Sequence, residues 1–137
     1  MTKIAFIGFG EAAGLLTDGL AEAGADVAAT FDILINNPDK AIAHKEKAGS
    51  KGVLAAKDAE QAVQAADIII SAVTSKEILI AAKNVAPHLT ASQIYMDINS
   101  ASPDAKQEAA KVIEASGADF VEAAVMASVG PLGIKVP

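Results

Sequence analysis

The chain has no cysteine, no arginine and no tryptophan, and a single tyrosine among its 137 residues. Without cysteine there is no disulfide, no zinc–thiolate centre and no cysteine nucleophile, which fits a reducing cytoplasm. A net charge of −6, with lysine supplying all eleven cationic residues and no arginine, argues against general affinity for nucleic acid or an anionic membrane, which would need a basic face. No apolar run approaches the roughly 18 residues of a membrane span. The start, MTKIAFIG, moves from one lysine straight into glycines without the small-residue cleavage site of a signal peptide. A cytoplasmic protein that engages neither nucleic acid nor membrane is expected. The two histidines, His44 and His88, stand in polar surroundings with no partner acid at useful spacing. Both read as surface residues, and no metal site is expected.

What is present is a regular alternation. With 52% hydrophobic and 20% charged residues, the composition is that of a folded domain, and the length suits one. Short runs rich in Val, Ile and Phe occur at 3–7, 25–31, 67–73, 93–98 and 119–125, with a shorter one at 52–56. Alanine-rich stretches of helical spacing separate them, as in 11–23, where Ala12, Leu15, Leu16 and Leu20 share a face. A polar connection follows the second run, with one short helix around 39–48. Asp58 with Gln61 and Thr74 with Glu77 have capping-box spacing. Ser102 before Pro103 reads as a helix start and Gly117 as its stop. Strands alternating with helices of ten to thirteen residues call for a doubly wound parallel α/β sheet with helices on both faces. The run at 67–73 is almost wholly apolar, as a central strand covered on both sides should be.

The first strand runs into glycines. Gly8-Phe9-Gly10-Glu11-Ala12-Ala13 reads G-x-G-x-x-A between a strand and an amphipathic helix. In a dinucleotide-binding βαβ unit the first small residue permits a tight turn and the second lets the pyrophosphate approach the backbone. The third keeps helix and strand close, and the helix N-terminus offers free N–H groups to the phosphates. Such a loop also serves as a plain strand-to-helix turn with no ligand. Its context and Asp32 favour the ligand. Asp32 closes the second strand about 20 residues on, where an acid accepts hydrogen bonds from the adenosine ribose, although an aspartate there also suits an ordinary turn. A carboxylate at that position repels a 2′-phosphate, and there is no arginine to offset it, so NAD is favoured over NADP. Lys40 or Lys45 would serve NADP only if the following loop folded back.

The segments IGFGEAAGLLTDGL, ISAVTS, YMDINSASP and FVEAAVMASVGP stand in the order and spacing of the β-hydroxyacid dehydrogenases. The chain resembles the N-terminal cofactor-binding domain of that family, which includes 6-phosphogluconate and hydroxyisobutyrate dehydrogenases. The resemblance implies a Rossmann domain over residues 1–137 whose C-terminal helical domain is absent from this chain. It also implies an NAD(P)-dependent dehydrogenase acting on a small hydroxy acid or phosphorylated sugar acid, and it allows a homodimer with much of the contact made by the second domain. By the same resemblance Gly8, Gly10 and Ala13 match the phosphate loop, with Phe9 inside it and Glu11 and Ala12 supplying N–H groups. Asp32 matches the ribose position. Val73 and Thr74 match the segment lying against the cofactor, and Asn99 and Ser100 match the stretch reaching the nicotinamide.

The family's D-x-P-V-S-G-G motif, which holds the substrate carboxylate, is replaced by Glu122-Ala-Ala-Val-Met126-Ala-Ser128. The serine's role does not transfer to Met126, and the substrate class is open. The family's catalytic lysine lies on a helix past this domain, and Lys83 and Lys106 read as solvated helix residues, so no catalytic residue is assigned. An apolar patch around Val125, Met126, Val129, Leu132 and Ile134 is expected where a second domain would dock. The residues leave three readings: the cofactor part of an oxidoreductase, a non-catalytic dinucleotide-binding regulatory module, and a flavin or nucleotide-sugar binder of the same fold.

Overall fold

The computed structural model describes residues 3–8, 17–20, 26–32, 38–50, 52–64, 66–73, 75–98 and 103–122. Six strands form one parallel sheet: β1 (Lys3–Ile7), β2 (Asp26–Phe31), β3 (Leu54–Ala55), β4 (Ile68–Ser71), β5 (Ile94–Asp97) and β6 (Asp119–Glu122). Their spatial order is β3-β2-β1-β4-β5-β6, the dinucleotide-fold order that reverses direction between β1 and β4. Four helices are described: α1 (Pro38–Ser50), α2 (Ala59–Val63), α3 (Ile78–Val85) and α4 (Pro103–Ala115). Residues 17–20 add one helical turn between β1 and β2.

Alternation along the strands divides the core in two, because successive side chains leave opposite faces of the sheet. Ala5, Ile7, Phe31, Ile69 and Tyr95 pack with α2, α3 and α4. Ile4, Phe6, Val27 and Ile70 face the other way, with Ala48 of α1 and, at the margin, Leu20. Val27 and Phe31 fall on opposite faces of β2 because its register with β1 shifts by one residue between Ile4 and Ala5. Helices therefore cover both faces, as the alternating pattern requires. The central position expected for the 67–73 run holds: β4 sits between β1 and β5, with Ile69 in one core and Ile70 in the other.

Two of the later strands are shorter than the apolar runs that announce them: the run at 67–73 keeps four residues as β4 and the run at 93–98 keeps four as β5. The helix expected around 39–48 extends over Pro38–Ser50. Asp58 caps α2 by accepting from the Gln61 N–H at 2.8 Å. The return bond differs from a capping box: Gln61 Oε1 accepts from the N–H of Lys57 at 2.8 Å, one residue before the cap. Glu77 ends a 3-10 turn (Ser75–Glu77) before α3 and makes no side-chain cap, and Thr74 lies outside the described residues. Helix α4 begins at Pro103, and after it the Gly117 N–H donates to the Glu114 carbonyl at 3.0 Å. At the opposite edge of the sheet, buried Gln93 donates to the carbonyls of Val63 and Ala66 at 2.8 and 2.9 Å, tying the start of β5 to the end of α2. Among the described residues no helix is long and apolar enough to cross a membrane.

Candidate functional site

The parallel register aligns the strand exits. Phe31, Ile7, Ser71, Asp97 and Glu122 are successive neighbours across β2, β1, β4, β5 and β6. Each is the last residue of its strand, so the next one or two positions form a ledge along the carboxyl edge. In open α/β sheets that ledge, at the point where strand order reverses, is where ligands bind. Gly8, Asp32 and Val73 all lie on it.

Gly8 stands at the reversal. Its N–H donates to the Phe31 carbonyl at 2.7 Å, beside Asp32, and the Ala72 N–H donates to the Ile7 carbonyl at 2.8 Å. Its φ of +87° lies in the region open to glycine. A Cβ there would collide with the Ala72 carbonyl and stand 3.0 Å from Val73 Cγ1. One glycine thus lets the exits of β1 and β4 close together, and it brings Asp32 and Val73 to either side of the turn. This geometry suits a dinucleotide, which needs a turn free of side chains beside an acid at the next strand's end. Phe9, Gly10, Glu11, Ala12, Ala13, Thr74, Asn99 and Ser100 lie outside the described residues, as do Val125, Met126, Val129, Leu132 and Ile134.

Two residues that sequence reasoning placed in solvent are buried. Lys106 of α4 is 4% exposed. Its ammonium stands 3.8 Å from Asp97 Oδ1 and 3.4 Å from Glu122 Oε1, and Asp97 is fully enclosed. The physical reason is the helix period: Lys106, Ala109 and Ile113 form the buried stripe of α4. Hydropathy alone assigns a lysine to solvent, whereas the spacing 106, 109, 113 was available as a signal. The second is His44, buried on α1 beside Ala48 while its neighbour Ile42 is exposed. Burial lowers its pKa below the ordinary 6.5; Asp32 opposes that shift and Lys47 adds to it. His44 therefore lies within electrostatic reach of the acid on the ledge. His88 and Lys83 are exposed, as expected.

Tyr95, two residues before Asp97 on the same face, stacks on Phe120 with ring centroids 6.0 Å apart. Burial pushes its phenol up to about 12, with Ser71 opposing and Asp97 reinforcing the shift. Among the described residues no group of three or more His, Asp or Glu could hold a metal ion.

Comparison with known proteins agrees with this geometry. The family model for the NAD binding domain of 6-phosphogluconate dehydrogenase matches residues 3–131. A conserved hypothetical protein from Sinorhizobium meliloti 1021 superposes with a TM-score of 0.93 at 39% identity, over 100% of this chain and 46% of its own. The Mycobacterium tuberculosis 3-hydroxyisobutyrate dehydrogenase, solved with L-serine, gives 0.82 at 26% identity, over 98% of this chain and 44% of its own. An imine reductase from Myxococcus stipitatus, in complex with NADP+, gives 0.71 at 21% identity over 92% and 42%. Its V8 variant, in complex with NAD+, gives 0.73 at 21% over 93% and 42%. The chain thus spans less than half the length of each of these structures. No curated protein sequence matches it.

Proposed function

The chain belongs to the family of the NAD binding domain of 6-phosphogluconate dehydrogenase, and on that premise we propose that it forms the cofactor half of an NAD-dependent oxidoreductase. The observation that carries this reading is the exit of β1. Gly8, at positive φ, is pressed against the Ala72 carbonyl, with Asp32 one residue beyond its hydrogen-bond partner Phe31. The pyrophosphate then approaches along Gly8, Phe9, Gly10, Glu11, Ala12 and Ala13, and the adenosine ribose meets Asp32. Val73 and Thr74 lie against the dinucleotide, and Asn99 and Ser100 receive its nicotinamide end. When bound, the nicotinamide supplies or accepts hydride.

The substrate in this reading is a small hydroxy acid or a phosphorylated sugar acid, and a helical domain outside these 137 residues supplies the catalytic group. The partial coverage of the related structures supports that division. Preference for NAD rests on the Asp32 carboxylate and on the chain's lack of arginine, since the one repels a 2′-phosphate and the other leaves it without its usual partner.

The test is titration of NADH and NADPH, followed by nicotinamide fluorescence and calorimetry, into the wild type and Gly10→Val. The substitution sets a side chain where the pyrophosphate must approach. Binding should disappear while circular dichroism stays native. Unchanged affinity in a folded variant overturns the assignment, and tighter NADPH than NADH binding by the wild type overturns the NAD preference.

A further inference from the structure

Lys106 is the unexpected part of the ledge. Burying an ammonium is unfavourable unless it is well paired, and apolar residues fill the equivalent row at Phe31 and Ile7. Its two partners end adjacent strands and stand opposite each other in register, Asp97 on β5 and Glu122 on β6. Lys106 itself lies one turn into α4, whose first residue is Pro103. The connection between β5 and α4 is residues 98–102. Lys106 therefore ties the start of α4 back to the last residue of β5, across both ends of that short connection. The same ammonium holds the last residue of β6.

We propose that Lys106 is a positioning residue for the nicotinamide end of the cofactor. It fixes the exits of β5 and β6 to each other and to α4, so that the part of the ledge beyond β4 is preorganised. This rests on the cofactor reading above. The ion pairs are suited to the task, because Lys106 meets both Asp97 and Glu122 only in the arrangement that brings α4 to the ends of both strands. Side-chain parity agrees. Ser71, Tyr95, Asp97, Phe120 and Glu122 occupy matching positions on β4, β5 and β6, and Tyr95 and Phe120 pack in the core that α4 covers. Asp97 and Glu122 therefore leave the sheet toward Lys106.

The experiment compares two ligands on the 137-residue protein: NADH, and ADP-ribose, which shares the adenosine and pyrophosphate but lacks the nicotinamide. Lys106→Met should weaken NADH about tenfold and leave ADP-ribose within about twofold, because only the nicotinamide end loses a preorganised seat. Lys106→Arg keeps the charge and reach and should recover most of the NADH affinity. A residue needed for stability alone would weaken both ligands together. If Lys106→Met does not fold, because Asp97 is left buried without its cation, Asp97→Leu with Lys106→Met removes both charges and carries the same expectation.

A folded variant that binds both ligands as the wild type does, or loses both equally, overturns the inference and leaves the cofactor reading standing. A wild type that binds neither ligand overturns the cofactor reading, and this inference with it.

Discussion

Along the carboxyl edge of the sheet, the β2–β1 side is closed by Phe31 and Ile7, and the β4–β6 side by Ser71, Asp97 and Glu122 with Lys106 above them. At these exits the strands pair in register across both sides, the one shift lying lower down, between Ile4 and Ala5 of β1 against β2. On the first side position is set by close packing and by a glycine that leaves room for a neighbouring carbonyl. On the second it is set by charges: Asp97 and Lys106 are held away from water, and Glu122 pairs with Lys106 from an exposed position. The difference matters because packing responds to volume, while a buried charge network responds to whatever removes one of its members.

The largest effect is expected at the boundary between the two sides. Gly8→Ala combines a positive φ with a collision against the Ala72 carbonyl, and should lower the unfolding free energy by about 3 kcal/mol. Urea denaturation followed by circular dichroism measures it. A loss well under 1 kcal/mol would mean that the exits of β1 and β4 separate easily, so that the two sides are not held by one turn.

The second effect belongs to the charged side and appears in alkali. Tyr95 ionises near 10 in the unfolded chain and at about 12 when folded, chiefly through burial. Below pH 10 the phenol is protonated in both states and its contribution is fully present. As pH rises from 10 towards 12 the unfolded chain gives up its proton first, so stability falls. Relative to Tyr95→Phe, the wild type should lose about 2–3 kcal/mol across that window. Parallel stability curves for the two proteins would contradict a buried phenol.

The smallest effect lies on the other side, in acid. His44 has its pKa lowered by burial, with Asp32 working against the shift and Lys47 with it. Above pH 6.5 the imidazole is neutral in both states. Below 6.5 the unfolded chain takes up the proton first, so the wild type loses stability until pH reaches the depressed native value. His44→Gln should flatten that slope and leave the curve above pH 7 unchanged. The two sides of the sheet then weaken at opposite ends of the pH scale. An identical acid slope in wild type and variant would remove His44 from the account.

Much of the architecture was legible because β-branched runs and alanine-rich helical spacing are local signals. Lys3–Ile7 could be read as the first strand to the residue, and Asp58 as the cap of α2. The ends of the later strands were less legible, because pairing partners rather than propensity decide where a ladder stops. The ledge was partly legible. Gly8 and Asp32 follow from a motif whose spacing carries its mechanics. Lys106 and His44 did not follow, since residue type points both of them to water.

Sequence alone determined the alternating α/β class, the glycine turn and the acid at the end of the second strand, because each is carried by a local residue pattern. Tertiary structure alone decided that Lys106 would meet Asp97 and Glu122. That meeting needs the parallel register of β5 with β6 and the rotation of α4 about its axis, and both are set by packing between elements rather than by a local residue pattern.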